Sequence, residues 1–351
     1  MKNKTTKMDI ANILKEKSEV IALSLVTYQF QLRPKEWARY GKTGIEVSLR
    51  DARYLLDYLY ESIVANDPQI LVNYSLWADE LFKGLKLPEN TMLETLECLK
   101  VTISREFPEL HHKASQVIDE SLMALRTNQK HLLTSNTITP LNEQANQYIE
   151  LLLNGNRHEA LQFINQLSNQ GVAVKDIYLE IFQAAQYQIG QLWLQSKISV
   201  AKEHYCTAVT QQAMSMLYPK IFTTQRKGLS FVAACVGNEL HEIGVRMVAD
   251  FFEMDGWDTY YLGANTPTDS IVKAANERNA DLLGLSIALP IHRSILKDVI
   301  EQIKPKLPPK TKIIIGGYAL NQASVNPNWF GAHAYAPDAL KAVEVGNTLA
   351  A

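Results

Sequence analysis

Apolar positions in the first third of the chain recur at steps of three and four residues, as in ARYLLDYLYESIVANDPQILVNYSLWADELFKGL over 52–85. That spacing puts one stripe of side chains on the inner face of a helix. Pro68, Pro88 and Pro108 fall at the ends of such stretches, where proline is tolerated. The pattern predicts an all-α domain over 1–130. A Ser-, Thr-, Asn- and Pro-bearing stretch then reads as a linker over 131–141. From 142 to 226 the helical period returns in four segments with short connections, two of them closed by glycine (NEQANQYIELLLNGN and RHEALQFINQLSNQG), which predicts a small four-helix bundle. From 227 to 351 the pattern changes. Short β-branched runs (LSFVAACV, WDTYYL, DLLGLSIA, TKIIIGG, AHAYA) alternate with amphipathic helices such as TDSIVKAANERN and RSILKDVIEQIKPKL. Alternation of this kind predicts a doubly wound α/β domain with a parallel sheet.

Composition narrows the function classes. The 351 residues are 46% hydrophobic and 21% charged, ordinary globular content for two or three domains. A formal net charge of -2 gives no electrostatic reason to expect nucleic-acid binding. The first twenty residues are charged and have no adequate apolar core for a signal peptide, and no apolar run approaches the roughly 18 residues of a membrane span. Cys98, Cys206 and Cys235 are too widely spaced for a zinc pattern or a disulfide framework. The expectation is a cytoplasmic chain with no membrane partner.

The chemistry concentrates at strand ends of the last block. GNELHEIG (237–244) follows the first strand, where ligands bind in doubly wound sheets. It has no GxGxxG fingerprint, so a dinucleotide site is not indicated. His241 reads from the residues alone as a metal ligand, a catalytic base or an ordinary loop histidine. Ser286 closes the third strand, and Gly316-Gly317 closes the fourth, where missing side chains let a bulky group slide between strand and helix.

These positions resemble the cobalamin-binding Rossmann-like (flavodoxin-like) domains, which carry an Asp-x-His-x-x-Gly loop, a serine after the third strand and Gly-Gly after the fourth. Here Glu239, His241 and Gly244, with Ser286, Gly316 and Gly317, occupy those places. The resemblance implies that His241 ligates the cobalt of cobalamin from below in place of the dimethylbenzimidazole base. It implies a slot for the nucleotide tail lined by Ser286 and the two glycines. Imidazole is a good ligand for such an ion, and a carboxylate behind it fixes its tautomer and raises its basicity. Two departures stand out. Glutamate replaces aspartate at 239, and Ala288 stands where a leucine is usual, with Leu289 one position later.

The bundle carries a second signature. Trp193 is followed, after nine residues, by Glu203-His204. This is similar to the Trp-x9-Glu-His motif in the helical cap of adenosylcobalamin-dependent photoreceptors of the CarH/LitR kind. The resemblance implies that Trp193 covers the upper face of the cofactor and that Glu203 and His204 contact the adenosyl group or close the cavity. Core packing for Trp193 and a solvated helix start for Glu203-His204 are the readings the residues allow without it. Leu194 stands where the family has a histidine able to bind cobalt after light cleavage.

No MerR-type DNA-binding pattern precedes the bundle. The first block faintly resembles the all-helical N-terminal domains of stressosome-type sensors, and His111, His112, Trp77 and Tyr74 are candidates for a pocket there or for packing and surface. The leading expectation is a non-enzymatic, light-responsive cobalamin sensor of AerR-like or photocobilin-like type. It would carry adenosylcobalamin, with methylcobalamin as the other form, and signal through a homo-oligomer or a protein partner such as a transcription regulator. The alternatives are a corrinoid shuttle protein carrying a methyl group between methyltransferases, and a dual cobalamin/bilin photoreceptor, although no residue marks a bilin site.

Overall fold

The computed structural model describes residues 6–127, 142–321 and 325–351. The linker assigned to 131–141 lies outside the described residues. The chain divides into two compact units: Met1–Ile138 with Gly190–Ser199, and Thr139–Ile189 with Val200–Ala351. The decapeptide 190–199, which the pattern assigns to the bundle, thus groups with the N-terminal helices.

The first unit is built from α1 (Thr6–Leu32), α2 (Pro34–Ala38), α3 (Gly41–Ala65), α4 (Gln69–Gly84), α5 (Thr91–Glu106) and α6 (Pro108–Arg126). Their boundaries follow local chemistry. Asn66 ends α3 in the left-handed region at φ 54°, and Pro108 opens α6 at a position whose missing N–H would have had no partner inside the helix. The apolar stripes predicted from spacing are buried, with Leu55, Leu56, Leu59 and Ile63 of α3 inside. His111 and His112 are exposed on α6, and His111 Nδ1 lies 3.1 Å from Ser115 Oγ. Tyr74 and Trp77 instead pack in a ladder: Tyr74 stacks on Tyr58 at 4.0 Å and lies 6.0 Å from Trp77, which is 6.1 Å from Trp193. The four residues considered for a pocket therefore do not converge.

In the second unit, Asn142 caps α7 (Glu143–Leu153) by accepting from the Ala145 amide at 2.7 Å, and Gly155 closes it at φ +79°. α8 (Arg157–Asn169) follows. The third bundle helix is less regular than its sequence predicts. It starts as α9 (Val174–Asp176), widens into a π-helical stretch (Ile177–Gln183), and continues as α10 (Ala184–Leu194), before α11 (Val200–Met216) and the short α12 (Tyr218–Ile221). Tyr148, Tyr178 and Phe182 fill the bundle interior.

The sheet is fully parallel in the order β2-β1-β3-β4-β5, with β1 (Ser230–Cys235), β2 (Asp258–Gly263), β3 (Leu282–Ser286), β4 (Lys312–Gly316) and β5 (Ala334–Tyr335). Each strand alternates its side chains between two covered faces. Val232 and Ala234 pack toward α14 (Thr268–Glu277) and α15 (Arg293–Ile303), whereas Phe231, Ala233 and Cys235 pack toward α13 (Ile243–Met254) and α18 (Ala339–Ala350). The short α16 (Tyr318–Asn321) and α17 (Pro327–Phe330) complete the domain. Bundle and sheet meet on α13. There the Tyr178 hydroxyl donates to Asp250 at 2.8 Å, and burial pushes the Asp250 carboxyl up to about 6.

This strand order reverses direction between β1 and β3, and ligands bind at the carboxyl ends of strands where the order reverses. His241 lies in the loop leaving β1, and Ser286 is the last residue of β3.

Candidate functional site

The loop after β1 is held from the neighbouring β2 loop. Asn238, at φ 68°, places its amide 2.8 Å from Asn265 Oδ1, and the Asn265 amide donates to the Glu239 carbonyl at 2.9 Å. Asparagine tolerates this left-handed backbone better than most residues, so the turn can be tight.

Glu239 is the centre of the site and is fully buried. Its Oε1 accepts from the His241 backbone amide at 2.9 Å and from His241 Nδ1 at 2.7 Å. Its Oε2 accepts from the Ala288 and Leu289 amides at 2.7 and 3.1 Å and from His292 Nδ1 at 2.9 Å. Burial alone would raise the pKa of this carboxyl. The hydrogen bonds from His241 and His292 and from the His241 and Ala288 amides outweigh burial and hold it far below the usual carboxylate range. An ionised carboxylate can only accept, so both imidazoles carry their hydrogen on Nδ1. The hydrogen bond to Glu239 raises the pKa of His241. Burial opposes the shift, while the charges of Glu239 and Glu203 add to it.

With Nδ1 engaged, the free lone pair of neutral His241 is on Nε2, and the side chain is 62% exposed. Leu240 beside it is 70% exposed, and a Cβ at Gly244 would meet nothing within 4 Å. An exposed nitrogen ligand, an exposed apolar side chain and an open glycine fit a large, flat, apolar ligand with a metal at its centre. The ion pair of Glu239 with His241 stabilises the fold most above the pH where Glu239 protonates and below the raised pKa of His241, and its contribution fades on either side.

The remaining strand-end residues take different roles. Ser286 pairs in register with Gly316. Gly317, at φ +103°, comes so close to the β3 loop that a Cβ there would lie 2.2 Å from the Ile287 carbonyl oxygen and 2.8 Å from Ser286 Oγ. Gly316 is similarly tight, with its Cβ position 3.0 Å from the Ala336 carbonyl oxygen. Gly317→Ala is therefore expected to cost about 2–4 kcal/mol through backbone strain and overpacking, read as a lower melting temperature by circular dichroism. A variant that melts with the parent would contradict this role.

On the bundle, Thr207 Oγ1 lies 2.9 Å from both Glu203 Oε1 and Gln186 Oε1 and donates its one hydrogen to one of these two acceptors. His204 is exposed and turns back on Glu203, Nδ1 to Oε2 2.7 Å. Gln211 of α11 donates to Glu242 at 3.0 Å, so α11 faces the loop after β1 within one unit. Trp193 is not in that unit. It sits against Trp77, two residues from Gln195, which donates to Glu80 at 3.2 Å. Leu194 is buried at 1% exposure, a packing position. The sequence places Trp193, Glu203 and His204 in one motif, whereas the structure divides them between two compact units.

Residues that sequence reasoning did not single out are His292 and Glu242. Glu242 accepts from Gln211 of α11 at 3.0 Å and from the Tyr261 hydroxyl and Ala264 amide at 2.9 and 3.0 Å, which ties bundle, loop and β2 together. Its adjacency to His241 was the only signal available.

A family model described as a B12 binding domain matches residues 229–344, and a second of the same description matches 144–218. A dimethylamine corrinoid protein of Methanosarcina mazei is 31% identical over 140 residues, which are 40% of this chain and 82% of that protein. The chain belongs to the B12-binding corrinoid proteins. A dimethylamine corrinoid protein of Methanosarcina acetivorans is 30% identical over 141 residues, covering 65% of its length, a little under two-thirds. The solved monomethylamine corrinoid protein of Methanosarcina barkeri superimposes with a TM-score of 0.51 at 20% identity over 59% of this chain and 98% of that one, a likeness of fold. These corrinoid proteins bear methylamine names, so the CarH/LitR reading of the Trp193 motif stands only as a proposal. A model described as a phycobilisome protein matches residues 1–154, a likeness different from the stressosome-type one. Among the described residues no helix is long and apolar enough to cross a membrane.

Proposed function

We propose that this corrinoid protein binds cobalamin with His241 Nε2 as the lower axial ligand to cobalt, and that it serves as a carrier of a methyl group between methyltransferases. The observation that carries the reading is the buried Glu239 carboxylate, which accepts a hydrogen bond from His241 Nδ1 and leaves the Nε2 lone pair of a largely exposed side chain free near the β1/β3 reversal. The methylamine corrinoid relatives support the carrier role. When bound, the cofactor supplies a cobalt–carbon bond that can pass on a methyl group or be cleaved by light. Glu239 orients the ligand and offsets its charge, Leu240 and Gly244 offer an apolar, open edge, and the strand-end positions Ser286, Gly316 and Gly317 adjoin the slot for the tail.

A second reading is a dual cobalamin/bilin photoreceptor, and the phycobilisome match over 1–154 favours it. In that reading Glu203 and His204 contact an adenosyl group and Trp193 covers it. Two assays separate the readings. Methyl transfer from methylcobalamin-loaded protein to a thiol acceptor, with candidate methyltransferases, supports the carrier. A change in the absorption spectrum of adenosylcobalamin-loaded protein after green light that exceeds the change in free cofactor, or light absorption by a co-purified bilin, supports the sensor.

Protons compete with cobalt for Nε2. Because the Glu239 contact raises the pKa of His241, corrinoid affinity is expected to fall about tenfold per pH unit below that raised value and to level off above it. Spectral titrations between about pH 5 and about pH 9 read this directly. A flat profile would contradict ligation by His241.

A further inference from the structure

Glu239 is a glutamate where this loop usually has aspartate, and its carboxylate is shared by two imidazoles. The extra methylene lengthens the side chain by about 1.5 Å. That reach lets one carboxylate span from the loop after β1 to the loop after β3, where Oε2 meets the Ala288 and Leu289 amides and His292 Nδ1. Ser286 closes β3 two residues before Ala288, yet the donors to Glu239 on this side are the two amides and His292. A longer side chain has one more torsion to fix, and fixing it requires a directional partner at its far oxygen. His292 is placed for this. It is buried at 5% exposure, and its backbone is held in a short 3-10 turn (Pro290–His292) by the amide bond to the Leu289 carbonyl at 3.0 Å, immediately before α15.

We infer that His292 is a positioning residue for cobalt ligation: it clamps the far oxygen of Glu239 so that the near oxygen holds His241 in a single tautomer with Nε2 directed outward. Each carboxylate oxygen serves one histidine. The inference rests on the reading of His241 as the lower ligand, but its first test needs no corrinoid. Partners behind a metal-bound histidine typically change metal affinity by about 10–100-fold when removed.

The experiment uses the full chain, labelled with nitrogen-15 and observed by NMR without cofactor at a pH where both rings are neutral. His241 and His292 are expected to carry their hydrogen on Nδ1. His292→Asn keeps an amide donor at the Nδ1 position and is expected to preserve the His241 tautomer. His292→Leu removes the donor and is expected to give mixed tautomers. After loading with cobalamin, His292→Leu should lower the affinity of the histidine-ligated form about tenfold or more, with His292→Asn close to the parent. A bare Nδ1 on His292 in the parent protein would overturn the inference. So would a His292→Leu protein with the parent's tautomer and affinity, or an Asn variant as impaired as the Leu one. If His292→Leu fails to fold, the parent tautomer and the Asn variant still decide. If the loaded parent shows no histidine nitrogen on cobalt, the reading of the site fails, whereas the tautomer result still judges His292.

Discussion

His241→Ala is expected to leave the fold intact and to remove the histidine-ligated spectrum of the loaded protein, with corrinoid affinity lower by on the order of 100-fold. The fold should survive because the side chain is largely exposed and its loss vacates one acceptor site on Glu239. Oε1 keeps the backbone amide of residue 241, and Oε2 keeps its three donors. Any corrinoid that still binds would keep its own dimethylbenzimidazole base on the metal, a difference visible in the absorption spectrum. Circular dichroism of the unloaded variant gives the control. Unchanged ligation would mean that another group holds the metal.

Glu239→Gln carries the larger cost to the fold. The carboxylate faces five donors, two on Oε1 and three on Oε2. An amide offers one oxygen and one NH2, and neither orientation suits the site. If the NH2 points toward β3, it meets the Ala288 and Leu289 amides. If it points toward His241, it meets that residue's backbone amide. Imidazoles can exchange tautomers, but backbone amides cannot become acceptors. Breaking a buried, charge-assisted network of this kind costs about 3–5 kcal/mol, a large share of the roughly 5–15 kcal/mol that holds a typical domain. Urea denaturation of the unloaded protein should show it, and a loss below about 0.5 kcal/mol would mean that the network contributes little. Glu239→Asp shortens the reach and should surrender the contacts at β3 before those at His241.

Part of this site was legible in the sequence for a definite reason. Strand ends can be read from β-branched runs, and a parallel sheet gathers those ends at one edge. GNELHEIG, Ser286 and Gly316-Gly317 therefore fall near one another once the strand order is right. The glycine stop at Gly155 was legible because its chemistry is local. His292 was not. It lies six residues beyond the end of β3, in a turn of no special composition, and its meaning comes only from a carboxylate 53 positions earlier. The tight approach behind Gly317 was equally invisible, since Gly-Gly reads the same whether it opens space or permits contact. Trp193 lies 6.1 Å from Trp77, and residues 190–199 group with the N-terminal helices, a packing that the short sequence distance to Glu203-His204 does not reveal. The helical spacing over 142–226 likewise carries no sign of the π-helical stretch Ile177–Gln183.

The identity of the atom below the metal decides the account. The protein is produced with nitrogen-15 histidine, loaded with ordinary cobalamin, reduced to cobalt(II), and examined by electron paramagnetic resonance. A nitrogen-14 ligand splits each cobalt line in three, and a nitrogen-15 ligand splits it in two. Ligation by His241 predicts two-line splitting that returns to three lines with unlabelled protein and disappears or reverts to the cofactor's own base in His241→Ala. Three-line splitting from the histidine-labelled protein would show dimethylbenzimidazole still on the metal and would contradict the proposed role of His241.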